Sequence, residues 1–202
     1  MEAVAAQQDW TKKTNPLNGT NVPKKISWEE FQHRYLSREN TFKYEWVNGE
    51  VVKTKRTMDY SQIFILKNLV NFFNQIKSKQ KIDGMLISEV DTFFLENHRR
   101  PDIAWFTDEQ IAKAKDGIKP VPQFIIEVIS TKDQLNLVEQ KMDNYRAAGV
   151  KVVWQIFPIF EKVHVYAGEN LDSMTVCKGD RLCTAAPALP DFVMAAKDVF
   201  KG

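Results

Sequence analysis

Phe124-Ile125-Ile126-Glu127-Val128-Ile129 is apolar at every position but one. In an extended chain successive side chains point to opposite faces, so both faces of this segment are apolar and the Glu127 carboxylate is set among apolar neighbours. An unpaired buried ion is costly, and Glu127 therefore needs a cation, a metal or a proton. Directly downstream, Leu135, Val138, Met142 and Tyr145 form an apolar stripe at helical spacing within residues 133–148, and Gly149 supplies a left-handed cap. This helix brings Lys141 back towards the strand. Upstream, Pro101-Asp102-Ile103-Ala104-Trp105 carries a second acid at the head of a short apolar strand. If the two strands are neighbours, Asp102 and Glu127 converge on one hard cation such as Mg²⁺, which prefers oxygen ligands and retains waters. One metal, these carboxylates and Lys141 make a phosphodiesterase site, with the ammonium stabilising developing negative charge. A strand glutamate paired with a helix lysine is also ordinary architecture, and the residues alone leave both readings open.

Around this centre the periodicity describes an α/β domain. Ser27 stands three residues before Glu30, the spacing of a capping box, and opens a short helix to about Leu36. Residues 42–47 and 50–54 flank Asn48-Gly49, which tolerates the positive backbone angles of a type I′ turn, so they form a hairpin. Its pairing places Glu45 and Glu50 on one face, diagonal to each other. Residues 60–76 read as a long amphipathic helix. Residues 85–90, 92–95 and 103–106 read as strands and 108–115 as a helix; residues 152–157 and 163–166 complete the sheet. Pro187 and Pro190 lie in a tail that leads to a short terminal segment, residues 192–200. The expected architecture is a mixed β-sheet flanked by helices, with an N-terminal β-hairpin. Residues 1–25, polar and without sustained period, read as a flexible arm, and residues 26–202 as a single domain.

A chain of 202 residues, 44% hydrophobic and 27% charged, can bury one substantial core, and no apolar run approaches the roughly 18 residues of a bilayer span. The net charge is only +2, and Lys12, Lys13, Lys24 and Lys25 in the arm account for it, leaving a neutral body. A strongly basic nucleic-acid binder is thereby excluded; any such contact must come from local clusters such as Lys53, Lys55 and Arg56, or Lys77, Lys79 and Lys81, or Arg99 and Arg100, each of which is equally a solvated face. Cys177 and Cys183 match neither zinc nor redox spacing, which suits a reducing compartment and a cytoplasmic location. Ser130 and Thr131 sit where hydroxyls cap a helix, and His33, His98 and His164 are too scattered for a metal site.

Arg100-Pro101-Asp102-Ile103-Ala104-Trp105, the segment from Phe124 to Ser130 and Gln140-Lys141-Met142-Asp143-Asn144-Tyr145-Arg146-Ala147-Ala148-Gly149, taken in order, resemble the Uma-two family. These are restriction-endonuclease-like proteins of the PD-(D/E)XK nuclease superfamily, and Tyr44-Glu45-Trp46-Val47-Asn48-Gly49-Glu50 resembles the family's first hairpin. The resemblance implies a core of helix, three strands, helix and strand, and a Mg²⁺-dependent (or Mn²⁺-dependent) endonuclease that hydrolyses DNA phosphodiester bonds. It implies Asp102 and Glu127 as metal ligands with the Val128 backbone carbonyl as a third. It further implies Glu45, Glu50 and Tyr145 as supporting positions and Gln140 as a matching polar neighbour without an assigned role. The superfamily motif places lysine two residues after the glutamate; this chain has Ile129 there, and Lys141 resembles a relocated replacement. Phe157 precedes Pro158 where relatives often carry an acid. DNA is the expected partner, and a homodimer follows by analogy, since cutting two strands is simplest with two symmetric sites. The alternative is a non-catalytic nucleic-acid-binding or assembly module on the same scaffold.

Overall fold

The computed structural model describes residues 24–38, 40–55, 60–79, 82–131 and 133–202. The expected arm therefore lies, up to residue 23, outside the described residues. The chain joins the domain at Ile26, whose amide donates to the Gly49 carbonyl at 2.8 Å and whose carbonyl accepts from the Trp46 indole at 3.0 Å.

Helix α1 (Trp28–Phe31) starts where Ser27 Oγ accepts the Glu30 amide at 3.1 Å, and it runs on as a π-helical turn over Gln32–Leu36. Glu30 does not close the box reciprocally, because its carboxylate is drawn to Arg34 one turn ahead. Strands β1 (Phe42–Val47) and β2 (Glu50–Lys55) form the expected hairpin with Val47 opposite Glu50 and Glu45 opposite Val52. Asn48 and Gly49 take φ of 51° and 84°, as the tight turn requires. Then come helix α2 (Tyr60–Lys77), strands β3 (Met85–Ser88), β4 (Thr92–Phe94), β5 (Asn97–Arg99) and β6 (Ile103–Phe106), and helix α3 (Asp108–Ala114). Strand β7 (Phe124–Val128), helix α4 (Leu135–Ala147), and strands β8 (Val152–Phe157), β9 (Lys162–Ala167) and β10 (Ser173–Lys178) follow. The chain ends with β11 (Leu182–Ala185), β12 (Leu189–Ala195) and α5 (Ala196–Val199).

A six-stranded sheet in the order β10-β9-β8-β7-β6-β3 is the centre of the fold. Its strands pair antiparallel except β7 with β8, whose parallel pairing needs the crossover that α4 provides. Leu69 and Phe73 of α2 pack on one face against Trp105, Phe124, Ile126 and Trp154, and the β11–β12 hairpin adds Cys183 and Phe192. Met142 and Tyr145 of α4 cover the other face over Ala104, Ile125 and Val153. Among the described residues no helix is long and apolar enough to cross a membrane.

The sheet does not end at residues 163–166. Strand β10 extends it, and the proline-containing tail folds into the β11–β12 hairpin, where Cys183 and Ala185 are buried and Leu182 and Thr184 exposed. Small buried residues alternating with an exposed Leu carry little hydrophobic period, so these strands left a weak signal. Residues 92–95 also differ from expectation: β4 pairs with β5 in a second, smaller sheet ordered β2-β1-β5-β4. That sheet sets the hairpin over the edge of the cleft described next.

Candidate active site

Asp102 stands one residue before β6, and Glu127 one residue before the end of β7. Ile103 pairs with Ile126, so one step further along the antiparallel register Asp102 and Glu127 face each other across the strands. They open on a cleft of 470 Å³ between the sheet, the hairpin and the N-terminal half of α4.

Each acid is held by one lysine and one further donor. Asp102 Oδ1 accepts from Lys43 Nζ at 2.9 Å, and its Oδ2 from the Val128 amide at 2.9 Å. Glu127 Oε2 accepts from Lys141 Nζ at 2.7 Å, and its Oε1 from the Tyr145 hydroxyl. Lys141 and Tyr145 are four residues apart, so one face of α4 delivers both donors. Burial pushes both carboxyls up. At Asp102 the charges of Lys43 and Lys141 and the Val128 amide outweigh burial and hold the group below its ordinary value. At Glu127 burial, reinforced by the charge of Asp102, outweighs Lys141 and Lys43 and holds the group above it. Neighbouring acids shifted in opposite directions are a common feature of functional sites. Burial works against the charge on Lys141, but Glu127, Glu45 and Asp102 overcome it and raise its pKa. Burial and Glu127 raise that of Tyr145, so its hydroxyl stays a donor.

Glu45, 1% exposed, lies behind this pair. Its oxygens accept from Arg99 Nη1 at 3.0 Å and from the Arg100 amide at 2.8 Å. Arg99 also donates through Nε to Asn144 at 2.8 Å and through Nη2 to Gln140 at 3.2 Å, so one guanidinium ties β1 and β5 to α4. Burial acts against the Glu45 anion, yet Lys141, Lys43, Arg99 and the Arg100 amide bring its pKa down to about 2. Glu50 shares the strand face of Glu45 but sits at the turn end of the hairpin, opposite Val47, and does not line the cleft. The structure thus brings together Asp102, Glu127, Lys141, Tyr145, Val128 and Glu45, and leaves Glu50 apart.

Two residues of this neighbourhood, Lys43 and Gln155, carry no assignment from sequence, and a third, Arg99, expected in a basic cluster with Arg100 that could contact nucleic acid, is instead buried. Lys43 is 6% exposed, and its place two residues before Glu45 on the same strand face was the available signal. Arg99 is fully buried, but β5 is too short and polar to read as a strand. Gln155 interrupts an apolar strand just as Glu127 does. His98 is buried against Trp28, Phe31 and Phe93 and bonds Asp91 at 2.8 Å, a structural role away from the acids.

The donor set suits a hard divalent cation. Asp102 and Glu127 offer carboxylate oxygens with a second lone pair free on each, and the Val128 carbonyl lies at the same strand end. Among the described residues no group of three or more His, Cys, Asp and Glu forms a ready metal cage. A cation here would therefore keep waters or take ligand oxygens, as Mg²⁺ does in phosphate chemistry.

A family model described as Uma2, "putative restriction endonuclease", matches residues 28–197. The chain belongs to the Uma2 family. A crystal structure of a "putative nuclease belonging to DUF820" from Anabaena variabilis shares the Uma2 chain's fold, with a TM-score of 0.71 and 20% identity over 87% of this chain and 97% of that one. No curated protein matches the chain. In this Uma2 protein the position two residues after the glutamate, Ile129, gives its amide to the Ile156 carbonyl at 2.8 Å, and the ammonium beside Glu127 comes from α4 instead.

Proposed function

We propose that the chain is a metal-dependent endonuclease that hydrolyses DNA phosphodiester bonds. The observation that carries this reading is the facing pair Asp102 and Glu127, each joined to a lysine, in a cleft whose hairpin wall adds Lys53 and Lys55. Asp102, Glu127 and the Val128 carbonyl would hold Mg²⁺ or Mn²⁺. Such an ion, when bound, polarises phosphoryl oxygens and lowers the pKa of a coordinated water. Asp102, Glu127 and Glu45 balance Lys43, Lys141 and Arg99 in formal charge, so a divalent cation alone would leave a surplus of positive charge in a buried place. A DNA phosphodiester brings the compensating negative charge, which supports joint binding of metal and substrate.

Lys141 is positioned to stabilise negative charge developing on the phosphoryl group, and Tyr145 holds the Glu127 carboxylate in orientation. Cleavage of both strands would use two copies of this site, hence a homodimer. The buried free thiols Cys177 and Cys183 support a cytoplasmic setting. The test is single-turnover cleavage of single-stranded, linear duplex and supercoiled DNA in Mg²⁺ and Mn²⁺. Wild-type cleavage that vanishes in Asp102→Asn and Glu127→Gln supports the reading; cleavage surviving both substitutions removes it.

A further inference from the structure

The line of the sheet that carries the two acids continues by one strand. In the parallel register of β7 and β8, Glu127 stands beside Gln155 on the same face. Gln155 is 4% exposed and lines the cleft, and its carboxamide makes no hydrogen bond to another described residue. The residue is otherwise buried, so its carboxamide is open only towards the cleft, where a ligand can meet both its donor and its acceptor.

The two sides of the cleft differ in chemistry. In the strand order β8-β7-β6 Gln155 lies on the far side of Glu127 from Asp102, which holds the Lys43 ammonium, and Leu137 and Val138 of α4 add apolar lining to the cleft. An anionic phosphate is drawn to the lysines. A neutral amide instead fits a flat, neutral group that offers a donor and an acceptor on one edge. A nucleobase has that character, and a carboxamide pairs in bidentate fashion with the N6 and N7 edge of adenine. To reach the floor of the cleft the base must be out of its helical stack, as in single-stranded DNA.

We propose that Gln155 is a specificity-determining residue that hydrogen-bonds a nucleobase, best an adenine, next to the phosphate held at Asp102 and Glu127. This rests on the nuclease reading above. The competing use of the amide is local: His164 faces Gln155 across β8 and β9, and its Nε2 is buried with no partner among the described residues.

The experiment is equilibrium binding of nuclease-resistant phosphorothioate 12-mers, single-stranded, in which one abasic nucleotide is moved through the sequence. Wild type is compared with Gln155→Leu and with Gln155→Met, which keeps the side-chain length, and each variant is checked by a thermal melt. The expected result is a position where the abasic nucleotide costs wild type about tenfold in affinity, while both variants are about tenfold weaker on the intact strand and lose nothing further there. A variant deficit that is the same for every abasic position, or no deficit at all, overturns base reading while leaving the nuclease reading in place. Lower melting temperatures with unchanged binding would assign the amide to His164 and also overturn it. Wild type that binds none of the strands overturns base reading, while the nuclease reading stands or falls by the cleavage of duplex DNA.

Discussion

The Lys43 ammonium and the Asp102 carboxylate meet at 2.9 Å across 59 residues of chain, and this contact joins the hairpin to the central sheet at the cleft. The lysine side chain is 8% exposed and the aspartate 30%, so the pair sits at the boundary between core and cleft. Under the proposed function Lys43 and a metal ion would use the same acid, so the lysine would compete with the cation and stand ready to receive the phosphate bound beside it.

Lys43→Met should therefore raise the affinity of the DNA-free protein for Mn²⁺ by about tenfold or more. A unit charge some 4 Å away opposes a cation by a few kcal/mol at an effective dielectric near 20. The same variant should unfold more easily by about 1–3 kcal/mol, since Asp102 loses a charged partner. Calorimetric titration beside a thermal melt measures both, and unchanged or weaker metal binding would show that Lys43 does not compete.

Lys141→Met keeps most of the side-chain stem and removes the charge. Single-turnover cleavage at saturating metal should fall by roughly a hundredfold, about 3 kcal/mol of transition-state stabilisation, with no loss of metal affinity. A variant that melts lower but cleaves at the wild-type rate would make Lys141 a counter-ion of Glu127 and nothing more.

Glu45 has a folded-state pKa of about 2 against an ordinary 4.5. A carboxyl depressed in this way stabilises the fold fully above its unfolded pKa, and the contribution disappears as pH falls from about 4.5 to about 2. The shift corresponds to about 3 kcal/mol. Glu45→Gln should then melt well below wild type near neutral pH, with the gap closing at the acid end. Glu127, whose pKa is raised, acts with the opposite sign: its contribution declines as pH rises through its folded value. Melting curves recorded across pH 2–7 for wild type and Glu45→Gln decide the matter, and a gap independent of pH would refute the assignment.

Arg99→Lys conserves charge but not the fork that reaches Glu45, Gln140 and Asn144 at once. Lysine offers one ammonium in place of a planar guanidinium, so about 2–4 kcal/mol of stability should be lost. Urea unfolding is the measurement; a variant as stable as wild type would show that the hairpin does not depend on this tie.

The acids of the cleft were legible because each breaks an apolar pattern: Glu127 in a strand buried on both faces, Asp102 at the head of another. Lys141 followed from the helical stripe of its neighbours, and the Glu45 register from Asn48-Gly49. Lys43 was not legible in the same way, since a lysine near a strand's start is ordinarily solvated, and only the folded hairpin turns it onto Asp102. Arg99 was hidden for a related reason. Its burial is created by partners on β1 and α4, and nothing in Asn97-His98-Arg99 marks a strand. The β11–β12 hairpin was missed because it buries Cys and Ala, whose contribution to any periodicity is small.

Lys43 and Asp102 are separated by 59 residues, and Arg99 and Glu45 by 54, so both ties close long loops. Such contacts form after local helices and turns, because the entropy of the intervening chain must first be overcome. The cleft is complete only once the hairpin has docked on the six-stranded sheet. Under the nuclease activity proposed above, this order of events would act as a safeguard: a chain still being synthesised, or one partly unfolded, would carry the acids without the assembled cleft and so would leave the surrounding genome intact.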